Sequence, residues 1–167
     1  MKTIYSGVLC AMLCLAAEAV QAADVTITIN GQVVAEPCTI TTTTANVSLG
    51  TLSTSNLQSA GSVSDWKTVA LELTDCPVGT SSVTATFTGT SDSTGTYFLN
   101  QGTAGNIAVQ LADSSGNNIT NGGTLTSAVS DSTLATTFNL EVRAVSSAGS
   151  ATQGSIQSVV DVTYTWQ

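Results

Sequence analysis

Apolar and polar residues alternate without a break near the start of the chain. Val25, Ile27, Ile29, Gly31 and Val33 fall on one face, and Thr26, Thr28, Asn30 and Gln32 on the other. A period of two carried by Val, Ile and Thr predicts a β-strand with one buried face. Ala35-Glu36-Pro37 interrupts the pattern before the cysteine-bearing body begins, so this strand reads as a separable arm. The alternation returns in Trp66–Leu73, where Val69, Leu71 and Leu73 share a face, and again at Val83, Ala85 and Phe87. Two more strands are marked by Ile107, Val109 and Leu111 and by Phe138, Leu140 and Val142. Cys38–Thr42 and Asn46–Leu49 predict shorter strands, 53–64 a polar connection, and 89–105 a long loop. Turns are expected at Asp75–Gly79, Asp113–Asn118 and Asn121–Gly123. Ser158–Trp166 is the last strand, with Val160, Val162, Tyr164 and Trp166 on one face and only Gln167 after it.

No segment beyond the first two dozen residues has a helical period, so the expected fold class is all-β. Six or so alternating strands separated by Gly and Asn turns point to an antiparallel sandwich. An immunoglobulin-like sandwich needs about seven. Counted from Cys38, the chain runs out one strand short. One strand, the arm, has no evident home, and one sheet lacks a neighbour.

Lys2, the apolar run Ile4–Ala17 and the small-residue site Val20-Gln21-Ala22 predict a signal peptide over 1–22, followed by the arm over 23–37 and a single domain over 38–167. The apolar run is too short to span a bilayer, and no membrane insertion is expected. Loss of Lys2 and Glu18 with the leader leaves Lys67 and Arg143 as the only cations and a net charge of −8. Nucleic acid is thereby an improbable partner, because neutralising phosphates takes clustered Lys and Arg. Cys38 and Cys76 are the cysteines that remain after export into an oxidising compartment, and are expected to form one disulfide.

Catalytic chemistry has little to work with. The chain has no histidine, which removes Ser-His-Asp catalysis and imidazole metal sites. The carboxylates are scattered rather than paired. Lys67 beside Trp66 reads as a solvated strand residue, and Asp113–Asn117 lacks the ligand spacing of a calcium loop. The expectation is a protein without catalytic, metal or cofactor residues.

Four stretches carry a resemblance. They are the arm Ala23–Gly31, the entry Glu36-Pro37-Cys38-Thr39-Ile40, the run from Val69 through Asp75-Cys76-Pro77-Val78-Gly79 to Thr80, and Ala151-Thr152-Gln153-Gly154 through Trp166. Together they resemble the pilin subunits assembled on Gram-negative bacteria by the chaperone-usher pathway, over the whole mature chain, and within that family they are most similar to a minor tip adaptor. The resemblance implies an incomplete immunoglobulin-like β-sandwich that lacks its final strand and is completed by a donor strand from a neighbouring subunit. It implies a donor strand of Val25, Ile27, Ile29, Gly31 and Val33, with Gly31 at the position where a side chain would clash. It implies an acceptor groove edged by Val160, Val162, Tyr164 and Trp166. The family's glycine fourteen residues from the end matches Gly154, and its penultimate tyrosine is here Trp166, with Tyr164 two residues before. Implied partners are a periplasmic pilus chaperone, an outer-membrane usher and neighbouring pilins, including a tip adhesin. The implied location is a cell-surface fimbrium reached through the periplasm.

Other readings stay open at this point. The arm could fold into its own sandwich and complete it. The chain could be a major fimbrial rod subunit, or a self-contained exported carbohydrate-binding β-sandwich.

Overall fold

The computed structural model describes residues 27–32 and 36–167. The chain divides into two units, Met1–Val33 and Val34–Gln167. The leader, Val25 and Val33 lie outside the described residues. In the first unit Ile27 and Ile29 are 79% and 88% exposed.

The second unit carries β1 (Thr39–Ile40), a single 3-10 turn (Thr54–Leu57), β2 (Ser62–Val63), β3 (Lys67–Thr74), β4 (Ser82–Gly89) and β5 (Phe98–Leu99). It continues with β6 (Ala108–Asp113), β7 (Asn118–Ile119), β8 (Thr124–Ala128), β9 (Thr136–Ser146) and β10 (Val160–Trp166). One sheet runs β1-β3-β9-β6-β5, with β2 on β9 and β7 on β6; the other runs β10-β4-β8. Every strand pairing is antiparallel.

The alternation in the sequence does what the physics asks of it. Val83, Ala85 and Phe87 of β4 are completely buried while their neighbours are half-buried or exposed, and Leu71, Leu73, Phe138 and Leu140 meet them in one core. The disulfide Cys38–Cys76 bridges residues just before β1 and just after β3, with Cα atoms 4.1 Å apart, continuing a pairing that already sets Thr39 opposite Thr74. The expected turn at Asp113 is present. Its carboxylate accepts from the Asn117 side chain and from the backbone N–H of Asn117 and of Ser115, and these bonds, the Asn117 side chain foremost, hold its pKa below the ordinary carboxylate value.

Five expectations need correcting. Residues 27–32 of the expected arm strand form no strand within this chain, because alternation gives a strand only where a partner bonds its main chain. The connection 53–64 contains the 3-10 turn and β2, which exists by pairing with β9. Thr124–Ala128 forms β8, which the sequence pattern did not mark. Its only large apolar residue is Leu125, and its strand character comes from lying along β4. The long loop 89–105 contains β5, whose Phe98 is fully buried. Asn46–Leu49 is not a strand. Val47 and Leu49 remain half-buried between exposed neighbours, so the alternation survives, but no ladder forms.

Ser146, at the end of β9, is fully buried and its hydroxyl has no hydrogen-bond partner among the described residues. An orphaned buried hydroxyl costs stability, so Ser146→Ala is expected to stabilise the fold by about 0.5–1.5 kcal/mol in denaturant titration; a lower midpoint would show that the hydroxyl is bonded in solution. Reducing Cys38–Cys76 is expected to cost about 3–4 kcal/mol by releasing its loop in the unfolded chain.

Candidate functional site

The final strand, β10, is hydrogen-bonded on one side only among the described residues. Gln167 and Ser82 exchange N–H to O=C bonds, at 3.0 Å and 3.4 Å, and the register pairs Thr165 with Thr84, Thr163 with Thr86 and Asp161 with Thr88. In an antiparallel ladder the residues that bond a given neighbour alternate. Asp161, Thr163 and Thr165 therefore direct their main-chain groups at β4, and Val160, Val162, Tyr164 and Trp166 direct theirs away, to the sheet's open edge. Val160, Val162, Tyr164 and Trp166 share this backbone parity.

Beside this edge lies a groove of about 880 Å³ that opens the core between the sheets. Val69 and Leu71 of β3, Phe87 of β4 and Leu111 of β6 reach it from within, and Val160 and Val162 of β10 line it. Ala45–Leu52 also borders it, and no main-chain group of that stretch bonds another main-chain group among the described residues. Two runs of backbone without a strand partner among the described residues thus flank one apolar trough, and no ionisable side chain lines it. Such a trough suits an extended peptide that can bond along its main chain and bury every second side chain. It offers nothing for acid-base chemistry.

The remaining members of the expected edge sit differently. Tyr164 packs on the core with its ring 5.8 Å from that of Phe138, and burial raises its pKa. Trp166 shares their backbone parity, but its side chain is 38% exposed and is not part of the groove lining. The tilted Tyr164 ring, rather than Trp166, is therefore the aromatic anchor of β10 on the core.

Gly154 belongs to a clasp at one end of the groove. A Cβ there would lie 2.7 Å from the Ala104 Cα and also collide with the backbone of Thr103, so only glycine permits this approach. The clasp is stitched by Ala104 N–H to Ser155 O (3.0 Å), Ser155 N–H to Thr103 Oγ1 (2.9 Å) and Gly105 N–H to Thr152 Oγ1 (2.8 Å). Asn100 ties both halves together. Its Nδ2 donates to Ala104 O, and its Oδ1 accepts from the N–H of Gly102 and of Gln157. The clasp seats Ile156 against both apolar clusters of the body. Sequence reading missed Asn100 and the border Ala45–Leu52. The one available signal was an Asn ahead of Gly102 and Gly105, a type of residue that bonds backbone in loops.

A β-sandwich with one strand edge open onto an apolar groove is a subunit built to accept a strand. The chain belongs to the fimbrial protein family: the family described as "Fimbrial protein" matches residues 27–167. Over 159 residues, 95% of each chain, it is 57% identical to Protein FimG of Escherichia coli (strain K12). It is 49% identical to the fimbrial-like protein YdeR of the same organism over 168 residues, the full length of both. Its fold is similar to a subunit in a solved structure of a chaperone-usher pilus, with TM-score 0.66, 22% identity, and coverage of 90% of this chain and all of that one. The fold is thus the incomplete immunoglobulin-like sandwich, and the chain is a subunit of a cell-surface fimbria that assembles with other pilins.

Two substitutions test the clasp. Gly154→Ala should force Thr103 and Ala104 apart from 154 and destabilise the body by about 1–3 kcal/mol. Asn100→Ala strips four side-chain hydrogen bonds, two of them part-buried and two exposed, and should cost about 1–3 kcal/mol. Thermal melts of the purified subunit check both; an unchanged midpoint for Gly154→Ala would mean that the close approach is not maintained in solution.

Proposed function

We propose that this chain is a minor tip adaptor of a chaperone-usher fimbria, joining a tip adhesin to the subunits behind it by donor-strand exchange. The observation that carries the reading is the open groove beside the unpaired edge of Val160, Val162, Tyr164 and Trp166. The arm over 23–37 supplies the complementary half. Ile27 and Ile29 are exposed apolar side chains on an alternating segment, and with Val25 and Val33 they would enter the groove of a neighbour while Gly31 passes a tight spot. Burial of these side chains does not by itself offset the entropy of ordering the arm, so the main-chain ladder along the β10 edge has to contribute.

Before assembly the groove needs a cover, because an open edge above apolar surface aggregates. A periplasmic chaperone fills that role in this reading, and an outer-membrane usher exchanges it for the arm of the next subunit. The similarity to FimG favours the tip adaptor over the major rod subunit. A self-contained carbohydrate-binding sandwich would not leave this edge open.

The arm tests the reading. Gly31→Leu should abolish fibre incorporation by overpacking the junction while leaving the chaperone-bound subunit folded. Ile29→Thr should weaken the junction through lost burial, and Thr28→Ser, facing outward, should change little. Fibre incorporation and chaperone-bound yield are measured separately for each variant. Normal assembly of Gly31→Leu, or loss of its chaperone-bound form, would contradict the donor role. Without a chaperone, little soluble monomer is expected.

A further inference from the structure

The chain contains two Asn-Gly pairs, Asn30–Gly31 in the arm and Asn121–Gly122 in the turn before β8, and the structure treats them in opposite ways. Asn-Gly is the dipeptide most prone to succinimide formation, because glycine leaves the following main-chain nitrogen unhindered and the backbone free to bend toward the side chain. At Asn121–Gly122 that reaction is blocked. The Asn121 Oδ1 accepts from Gly89 N–H at 3.0 Å, and the nitrogen that would attack, that of Gly122, donates to Phe87 O at 2.7 Å. At Asn30–Gly31 both residues are exposed, a Cβ placed on Gly31 would meet nothing within 4 Å, and neither residue makes a hydrogen bond among the described residues.

We propose that Asn30 is a self-modification site at which an unassembled subunit ages by deamidation, and that the product can no longer serve as a donor strand. The Gly31 main-chain nitrogen gives up its proton to solvent base and bonds to Asn30 Cγ; the Cγ–Nδ2 bond breaks and ammonia leaves. Water then opens the five-membered ring. Cleavage at Cγ gives aspartate with the backbone restored, and cleavage at the main-chain carbonyl gives isoaspartate, in which the backbone runs through Cβ. The net change is one water consumed and one ammonia released.

Isoaspartate inserts a methylene into the main chain between Ile29 and Gly31. Residues after it lose their register with those before it, so Gly31 and Val33 could not enter a groove in step with Val25, Ile27 and Ile29. This consequence rests on the donor-arm reading. Within an inserted strand the local bend needed for ring closure is forbidden, so assembly would protect Asn30.

The test follows the wild-type subunit, held in chaperone-bound form, and assembled fimbriae through incubation in mildly alkaline buffer. Peptic mapping with isoaspartyl methyltransferase labelling locates the product, which is heavier by about 1 Da. In the unassembled subunit Asn30 should convert roughly tenfold or more faster than Asn121, whose hydrogen bonds must first open. Aged subunit should lose fibre incorporation in proportion to its isoaspartate, while Asn30→Ser ages without loss. No conversion at Asn30, rates equal to Asn121, or full incorporation of converted subunit would each overturn the proposal. Conversion at Asn30 as fast in fimbriae as in the free subunit would instead sink the donor-arm reading and leave the chemical site standing.

Discussion

The unpaired edge of β10 is the constraint on which the rest of this structure depends. Four residues, Val160, Val162, Tyr164 and Trp166, turn their main-chain donors and acceptors to a side where the body supplies no strand. A backbone amide that is neither paired nor in water is expensive, and a flat row of them recruits whatever strand is at hand. The groove beside the edge makes recruitment specific, since an incoming chain must also present an apolar side chain at every second residue. Fold and assembly are one problem here: the place where the domain is incomplete is the place where it joins its neighbour.

Other features hold that edge in position. Seven residues of β10 pair with β4, whose own inner side chains Val83, Ala85 and Phe87 are completely buried. The clasp between Asn100–Gly105 and Thr152–Gln157 fixes the chain just before β10 and keeps Ile156 at the end of the groove. The disulfide ties the start of the body to the end of β3, from which Val69 and Leu71 reach the groove. The groove can therefore stay open without the body collapsing into it, because its walls are fixed by bonds that do not depend on its occupant.

Much of this was legible in the alternation. β3, β4, β6, β9 and β10 stand where large apolar residues recur at every second position, because each has one face in a shared core. What stayed hidden depends on neighbours. β8 carries only Leu125 as a large apolar residue and exists by pairing with β4. Asn46–Leu49 has a strand's alternation without being one, because it borders the open groove rather than a partner. The alternation of Val160, Val162, Tyr164 and Trp166 was legible, yet the exposure of the Trp166 side chain was not, since parity fixes the direction of the backbone and says nothing about what lies beyond the last residue of a sheet. Asn100 offered only the weak signal of an Asn ahead of two glycines, because its role comes from two loops far apart in sequence that meet in the fold.

Residue-resolved amide exchange along β10 tests the central claim most directly, in chaperone-free subunit freshly refolded at high dilution and after addition of a synthetic peptide spanning residues 23–34. Asp161, Thr163 and Thr165 bond β4 and should be protected in both states. Val160, Val162 and Tyr164 should exchange freely without the peptide and become protected with it, giving an alternation that only strand addition at this edge produces. Uniform protection of β10 before the peptide is added, or no gain at Val162 and Tyr164 after it binds, would contradict the account.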